Sequence, residues 1–99
     1  MTQIAITGSD GAHWRVEAKG HAGDERICAA ISTACGAALN VLGDAAQNIR
    51  YESGDVEFDV HLTEDAQVGA LEMLAETFFM LADKFPAYVG VTFLEPTAL

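Results

Sequence analysis

A thiol and an imidazole stand near each other early in the chain, His21 in Gly20-His21-Ala22-Gly23 and Cys28 in Ile27-Cys28-Ala29-Ala30-Ile31-Ser32. A thiolate is a strong nucleophile, and an imidazole within reach can take the thiol proton and later return it to a leaving amine. The glycines around His21 let the backbone turn sharply and let another group approach. Cys28 falls at the start of a predicted helix, where backbone N–H groups favour a thiolate or an oxyanion. Asp24 and Glu25 oppose that charge, but a direct imidazolium contact outweighs exposed acids screened by water. The other reading of the same residues is packing, with Cys28 an inert small hydrophobe and Gly-His-Ala-Gly a plain loop. Ser32 lies one helical turn from Cys28, so its hydroxyl either reaches the same site or is solvated or bonded back to the helix. Cys35, mid-helix among alanines, reads as packing. His13 and His61 fall on the wet faces of strands and read as solvated surface.

The elements that must position His21 and Cys28 follow from periodicity. Gln3 to Thr7 reads as a strand and Gly8-Ser9-Asp10-Gly11 as a turn. From Ala12 the pattern alternates, with Ala12, Trp14, Val16 and Ala18 apolar against His13, Arg15, Glu17 and Lys19, which predicts a second strand with one wet face. After Asp24-Glu25 the apolar positions Ile27, Ile31, Ala34, Ala38 and Leu42 recur at helical spacing, with acids in the first turn and Gly43 as a possible end. Arg50 to Glu52 reads as a short strand, Ser53-Gly54-Asp55 as a tight turn and Val56 to Leu62 as its partner. Thr63 is placed to cap a second helix with the stripe Leu71, Leu74, Ala75, Phe78, Leu81, Ala82 and Phe85, ended by Lys84 and Pro86. Tyr88 to Leu94 reads as the last strand, and Glu95-Pro96 opens a tail. The order β-β-α-β-β-α-β predicts one α+β domain over residues 1–99, a two-layer sandwich with two helices packed on one face of a mixed sheet. A homodimer is expected through an edge strand or a surface bearing Tyr88 and Leu94.

Composition narrows the function. With 15 acids against 5 Lys and Arg, the net charge of the 99 residues is −10. Arg15, Lys19, Arg26, Arg50 and Lys84 are scattered along the chain and are expected to make no patch, so no nucleic-acid partner and no polybasic membrane anchor is expected. The 51% hydrophobic content supports a packed core. No apolar stretch reads as long enough to span a bilayer, and Met1 to Ile6 lacks the pattern of a signal peptide, so a soluble cytoplasmic protein is expected. Cys28 and Cys35 would sit about 10.5 Å apart along a helix, beyond the roughly 7 Å limit for a disulfide. Neither a Cys-x-x-Cys metal signature nor a glycine-rich phosphate loop is present, and no cofactor is expected.

Gly20-His21-Ala22-Gly23 followed by Cys28-Ala29-Ala30-Ile31-Ser32 resembles the signature of the Prp (YsxB-like) cysteine proteases, and the predicted element order matches that family over nearly the whole chain. The resemblance implies His21 and Cys28 as the catalytic pair, with Glu25 at the position three before the cysteine where an acid is common, and Ser32 as the serine four after it. It also implies a homodimeric peptidase that removes a short N-terminal extension from the twenty-seventh large-subunit ribosomal protein, or, in phage-encoded relatives, processes a capsid or scaffold protein. Three departures stand out: only Ala22 to Ile27 separate histidine from cysteine where relatives carry a longer glycine-containing segment, Arg26 replaces an aliphatic residue, and Glu25 replaces the usual aspartate. The competing expectation is therefore a catalytically inactive homodimeric interaction module of the same fold. An acidic surface suits either a basic protein tail or plain solubility.

Overall fold

The computed structural model describes residues 1–95. Its elements run β1 (Thr2–Gly8), β2 (His13–Lys19), α1 (Glu25–Leu42), a 3-10 turn (Gly43–Ala45), β3 (Ala46–Glu52), β4 (Asp55–His61), α2 (Asp65–Lys84) and β5 (Val89–Leu94). The expected tail from Pro96 lies outside the described residues.

The five strands form one mixed sheet in the order β3-β4-β2-β1-β5. β1 and β2 form one antiparallel hairpin and β3 and β4 another, β4 pairs antiparallel with β2, and β5 pairs parallel with β1. Each helix is thus a crossover between parallel strands, α1 from β2 to β3 and α2 from β4 to β5. The two crossovers leave strands of opposite direction and travel opposite ways across the sheet. A single handedness therefore places both helices on the same face, as the two-layer expectation requires.

Alternation decides what each strand buries. Ile4 and Ile6, Val16 and Ala18, Val56, Phe58 and Val60, and Val89 point to the helices and are buried. From α1 they meet Ile27, Ile31, Cys35, Ala38 and Leu42, and from α2 Leu71, Leu74, Ala75, Phe78 and Leu81. Cys35, rather than the expected Ala34, completes the inner stripe of α1, because the step from Ile31 is four residues and the next is three. Phe85 leaves the predicted α2 stripe: it is the C-cap residue and is 39% exposed.

Several boundaries move for local reasons. Asp24, in extended conformation, is the N-cap of α1, its side chain accepting the Arg26 N–H. The cap of α2 is Glu64 and not Thr63, because Gln67 three positions on completes a capping box with Glu64. Thr63 instead bonds the Gln67 side chain. Gly43, which the sequence leaves either to end α1 or to lie within it, ends it, its N–H returning to the Leu39 carbonyl. β3 begins at Ala46, four residues before the predicted Arg50, and a register shift between Gln47 and Arg50, with Asn48 at φ 54°, breaks the alternation that would have revealed it. Glu25–Ala45, with a mean hydropathy of 1.4, is long and apolar enough to cross a membrane by length and composition, which corrects the expectation that no stretch approaches that size. Here one stripe of that helix lies against the sheet as part of the core.

Candidate active site

The end of β2 and the start of α1 converge beside the β3–β4 turn. Thr2 is buried, donates its hydroxyl to the Gly20 carbonyl (3.1 Å) and ties β1 to the end of β2. The Gly20 N–H donates to the Gly54 carbonyl (2.9 Å), pinning the same point to the β3–β4 turn. Gly20 has φ +90°, and a Cβ there would stand 2.8 Å from the Met1 carbonyl oxygen, so only glycine fits this bend. The chain then turns at His21 and reaches the Asp24 cap.

Within that turn His21 and Cys28 come to one place. Both line a narrow cavity of about 50 Å³ together with Thr2, Ser32, Ser53 and Gly54. Both also line an adjoining open depression of about 340 Å³ with Gly23, Asp24, Glu25 and Ser53. The narrow cavity holds little more than water, so a peptide segment would have to lie in the open depression. The Cys28 sulfur is half-buried and accepts the Ala22 N–H at 3.3 Å. This backbone donor is aimed at the thiol by the turn itself. The His21 ring is exposed and rests on the β3–β4 turn, where a Cβ at Gly54 would lie 2.7 Å from Nε2. Among the described residues no hydrogen bond joins the ring to the Cys28 sulfur. The two groups share a cavity without the direct hydrogen bond through which a proton would pass.

Ser32 lines the narrow cavity, and its carbonyl accepts the Tyr51 hydroxyl at 2.5 Å, which fastens the second turn of α1 to β3. Glu25 is exposed on the wall of the depression. The start of α1 is less open to an oxyanion than its dipole alone suggests: the Arg26 N–H is taken by the Asp24 carboxylate (2.9 Å) and the Cys28 N–H by the Asp24 carbonyl (3.0 Å). The Ala22 N–H is the donor already aimed at the sulfur. Arg26 also holds the Asp24 carboxyl below its usual range, by a side-chain hydrogen bond first and a backbone one second.

Sequence reading missed Thr2, Tyr51, Ser53 and Gly54 as site neighbours. Ser53-Gly54 is recognisable as a turn, but nothing local says that it packs under a histidine 33 positions earlier. Cys35 lies elsewhere, fully buried, and burial pushes its thiol up to about 12. No group of three or more His, Cys, Asp or Glu side chains among the described residues is disposed to hold a metal ion. A larger pocket of about 610 Å³ lies at the other end of the sheet, lined by Trp14, Phe79 and Phe93, and contains no cysteine or histidine.

Solved structures share this fold. The ribosomal processing protease Prp of S. aureus, in complex with a covalently linked product peptide, superimposes with a TM-score of 0.77 at 17% identity, covering 94% of this chain and 99% of that one. The same protease with a substrate peptide gives a TM-score of 0.77 at 15% identity, with the same coverage. SMU.848 from Streptococcus mutans gives 0.74 at 21% identity, covering 96% of this chain and 98% of that one. None of the curated proteins compared with the chain matches it. A family model described as cysteine protease Prp matches residues 1–90, and with nine-tenths of its length inside that match the chain belongs to the Prp cysteine protease family.

Proposed function

We propose that this chain is a cysteine endopeptidase that removes a short N-terminal extension from a large-subunit ribosomal protein, with Cys28 as nucleophile and His21 as general base and then acid. The observation that carries the reading is the convergence of His21 and Cys28 on one cavity, with the Ala22 N–H donated to the sulfur. The S. aureus relative, bound to substrate and product peptides, supports the substrate class.

In this reading His21 swings off Gly54 and takes the Cys28 proton. The sulfur attacks the scissile carbonyl, forming a C–S bond and an oxyanion, which a backbone N–H of the Ala22 turn stabilises. Collapse breaks the C–N bond, and His21 gives its proton to the leaving amine. Water, deprotonated by His21, then attacks the thioester, releasing the carboxylate product and restoring the thiol. Glu25 and Ser32 stand at the margins of this site and support its shape rather than the proton transfers.

The test is incubation with a peptide spanning the N-terminal extension of such a ribosomal protein, and in parallel with a phage capsid or scaffold peptide, followed by mass spectrometry. One internal cut in the ribosomal peptide is expected, abolished by Cys28→Ser and reduced about a thousandfold or more by His21→Ala. A cut confined to the phage peptide would reassign the substrate. The lack of a hydrogen bond between the His21 ring and the Cys28 sulfur favours a second reading, a homodimeric interaction module without turnover. That reading expects neither peptide to be cut and Cys28→Ser to bind its partner as the unaltered chain does.

A further inference from the structure

His13 and His61 lie far from the site above, at the opposite end of β2 and β4, and sequence alone places each on a wet face without relating them. The sheet makes them direct cross-strand partners. The Leu62 N–H donates to the Ala12 carbonyl (2.7 Å), so positions 12 and 62 form a hydrogen-bonded pair and positions 13 and 61 the adjacent non-hydrogen-bonded one, in which side chains stand closest. Their rings stack with centroids 4.2 Å apart and planes 18° from parallel.

A third residue fixes the chemistry of the pair. Both carboxylate oxygens of Asp10 lie 2.9 Å from His13 Nδ1. A carboxylate can only accept, so in the neutral ring the proton sits on Nδ1 and the lone pair is left on Nε2. Asp10 is itself held in place by the Ala12 and His13 N–H groups, each donating to Oδ1 at 2.8 Å. A carboxylate that orients an imidazole through its far nitrogen is the outer-shell partner that metal-binding histidines usually have. The nearest cation on this face, Arg15, is occupied by Glu17, Asp59 and Glu57. His13 is exposed, and the His61 ring makes no hydrogen bond among the described residues.

We infer that His13 Nε2 and the His61 ring form a two-imidazole site for a borderline divalent transition metal such as Zn²⁺ or Cu²⁺, with Asp10 as the orienting second partner and water in the other positions. Neutral imidazoles select such ions over Mg²⁺ and Ca²⁺, which prefer oxygen. Binding needs the two rings to turn out of their stack so that their in-plane lone pairs meet at a common point, and it clips β2 to β4, which come together only in the folded chain.

Isothermal titration with ZnCl₂ tests this on the full chain carrying Cys28→Ser, so that the half-buried Cys28 thiol takes no metal. One Zn²⁺ per chain is expected, with a rise in thermal midpoint that EDTA reverses and with no response to MgCl₂. Added His13→Ala or His61→Ala should weaken Zn²⁺ affinity about tenfold or more, and Asp10→Asn, which keeps an acceptor for the turn, about tenfold. Where an alanine variant melts early in EDTA, His13→Gln or His61→Gln carries the same expectation. Absence of Zn²⁺ uptake by the parent, or undiminished uptake after either histidine is replaced, overturns the site.

Discussion

Cys28 and Cys35 ride on the same helix, and what surrounds each decides what it can do. Cys35 is sealed in the core, and burial holds its thiol up to about 12, so near neutral pH it is protonated and unreachable. Cys28 is half-buried at the wall of an open depression, with a backbone N–H directed at its sulfur. In the folded protein at neutral pH, iodoacetamide should therefore alkylate Cys28 about tenfold faster than Cys35, or more, as read by peptide mapping. Cys35 should react only after denaturation. His21→Ala should slow the labelling of Cys28 if the imidazole assists its ionisation. Equal rates for the two thiols in the folded chain would contradict the distinction between a reactive and a packing cysteine.

At the scale of elements, the site depends on a helix start and on a turn that the sequence places far apart. Asp24 caps α1 with its side chain on the Arg26 N–H and its carbonyl on the Cys28 N–H. Asp24→Ala should cost about 1 kcal/mol in urea unfolding and loosen the turn that presents Cys28. Gly54 acts on His21 in a different way. Its φ of +74° disfavours any side chain, and a Cβ there would meet the His21 ring at 2.7 Å. Gly54→Ala is expected to lose about 1–2 kcal/mol of stability and, by displacing His21, to reduce peptide cleavage. Gly54→Asn separates the two effects, because asparagine tolerates positive φ but still brings a Cβ. If Gly54→Asn cleaves like the unaltered chain, the contact with His21 does not matter. These cases also mark what could be read in advance. Both hairpins, most of each helix stripe and the element order were legible because they rest on local periodicity, whereas the six residues between His21 and Cys28 did not by themselves say that the two would line one cavity. The early start of β3 was hidden by its bulge at Asn48. The packing of Gly54 under His21 and the stacking of His13 on His61 depend on strand register, which no local pattern fixes.

At the scale of the whole molecule, most of the positive charge is gathered on one face, although the sequence scatters it, and there it is matched by acids. Three of the five cations, Arg15, Lys19 and Arg50, sit together on the open face of the sheet, where they bridge Glu17, Asp55, Glu57 and Asp59. Glu17 and Glu57 are direct cross-strand partners, a repulsive pair that Arg15 neutralises by reaching both and Lys19 by bonding Glu57. Lys19 holds the Asp55 and Glu57 carboxyls below their ordinary values, and Asn48 followed by Arg15 does the same for Asp59. A carboxyl depressed in the folded state adds stability above its unfolded value and loses it as pH falls through the folded one. A second effect runs the other way, since the net charge of −10 repels itself and relaxes as the first exposed acids protonate. The urea midpoint should therefore hold or rise slightly from pH 7 to about 5 and then fall below about 4, where the network acids protonate. Because these groups face water, added salt should lower the midpoint at pH 7 only modestly through them. Combined Asp55→Asn and Glu57→Gln should leave Lys19 unpaired, lower the midpoint at pH 7 and flatten its fall below pH 4. If the double variant falls as steeply with acid as the unaltered chain, the open-face network is not what makes the fold acid-sensitive.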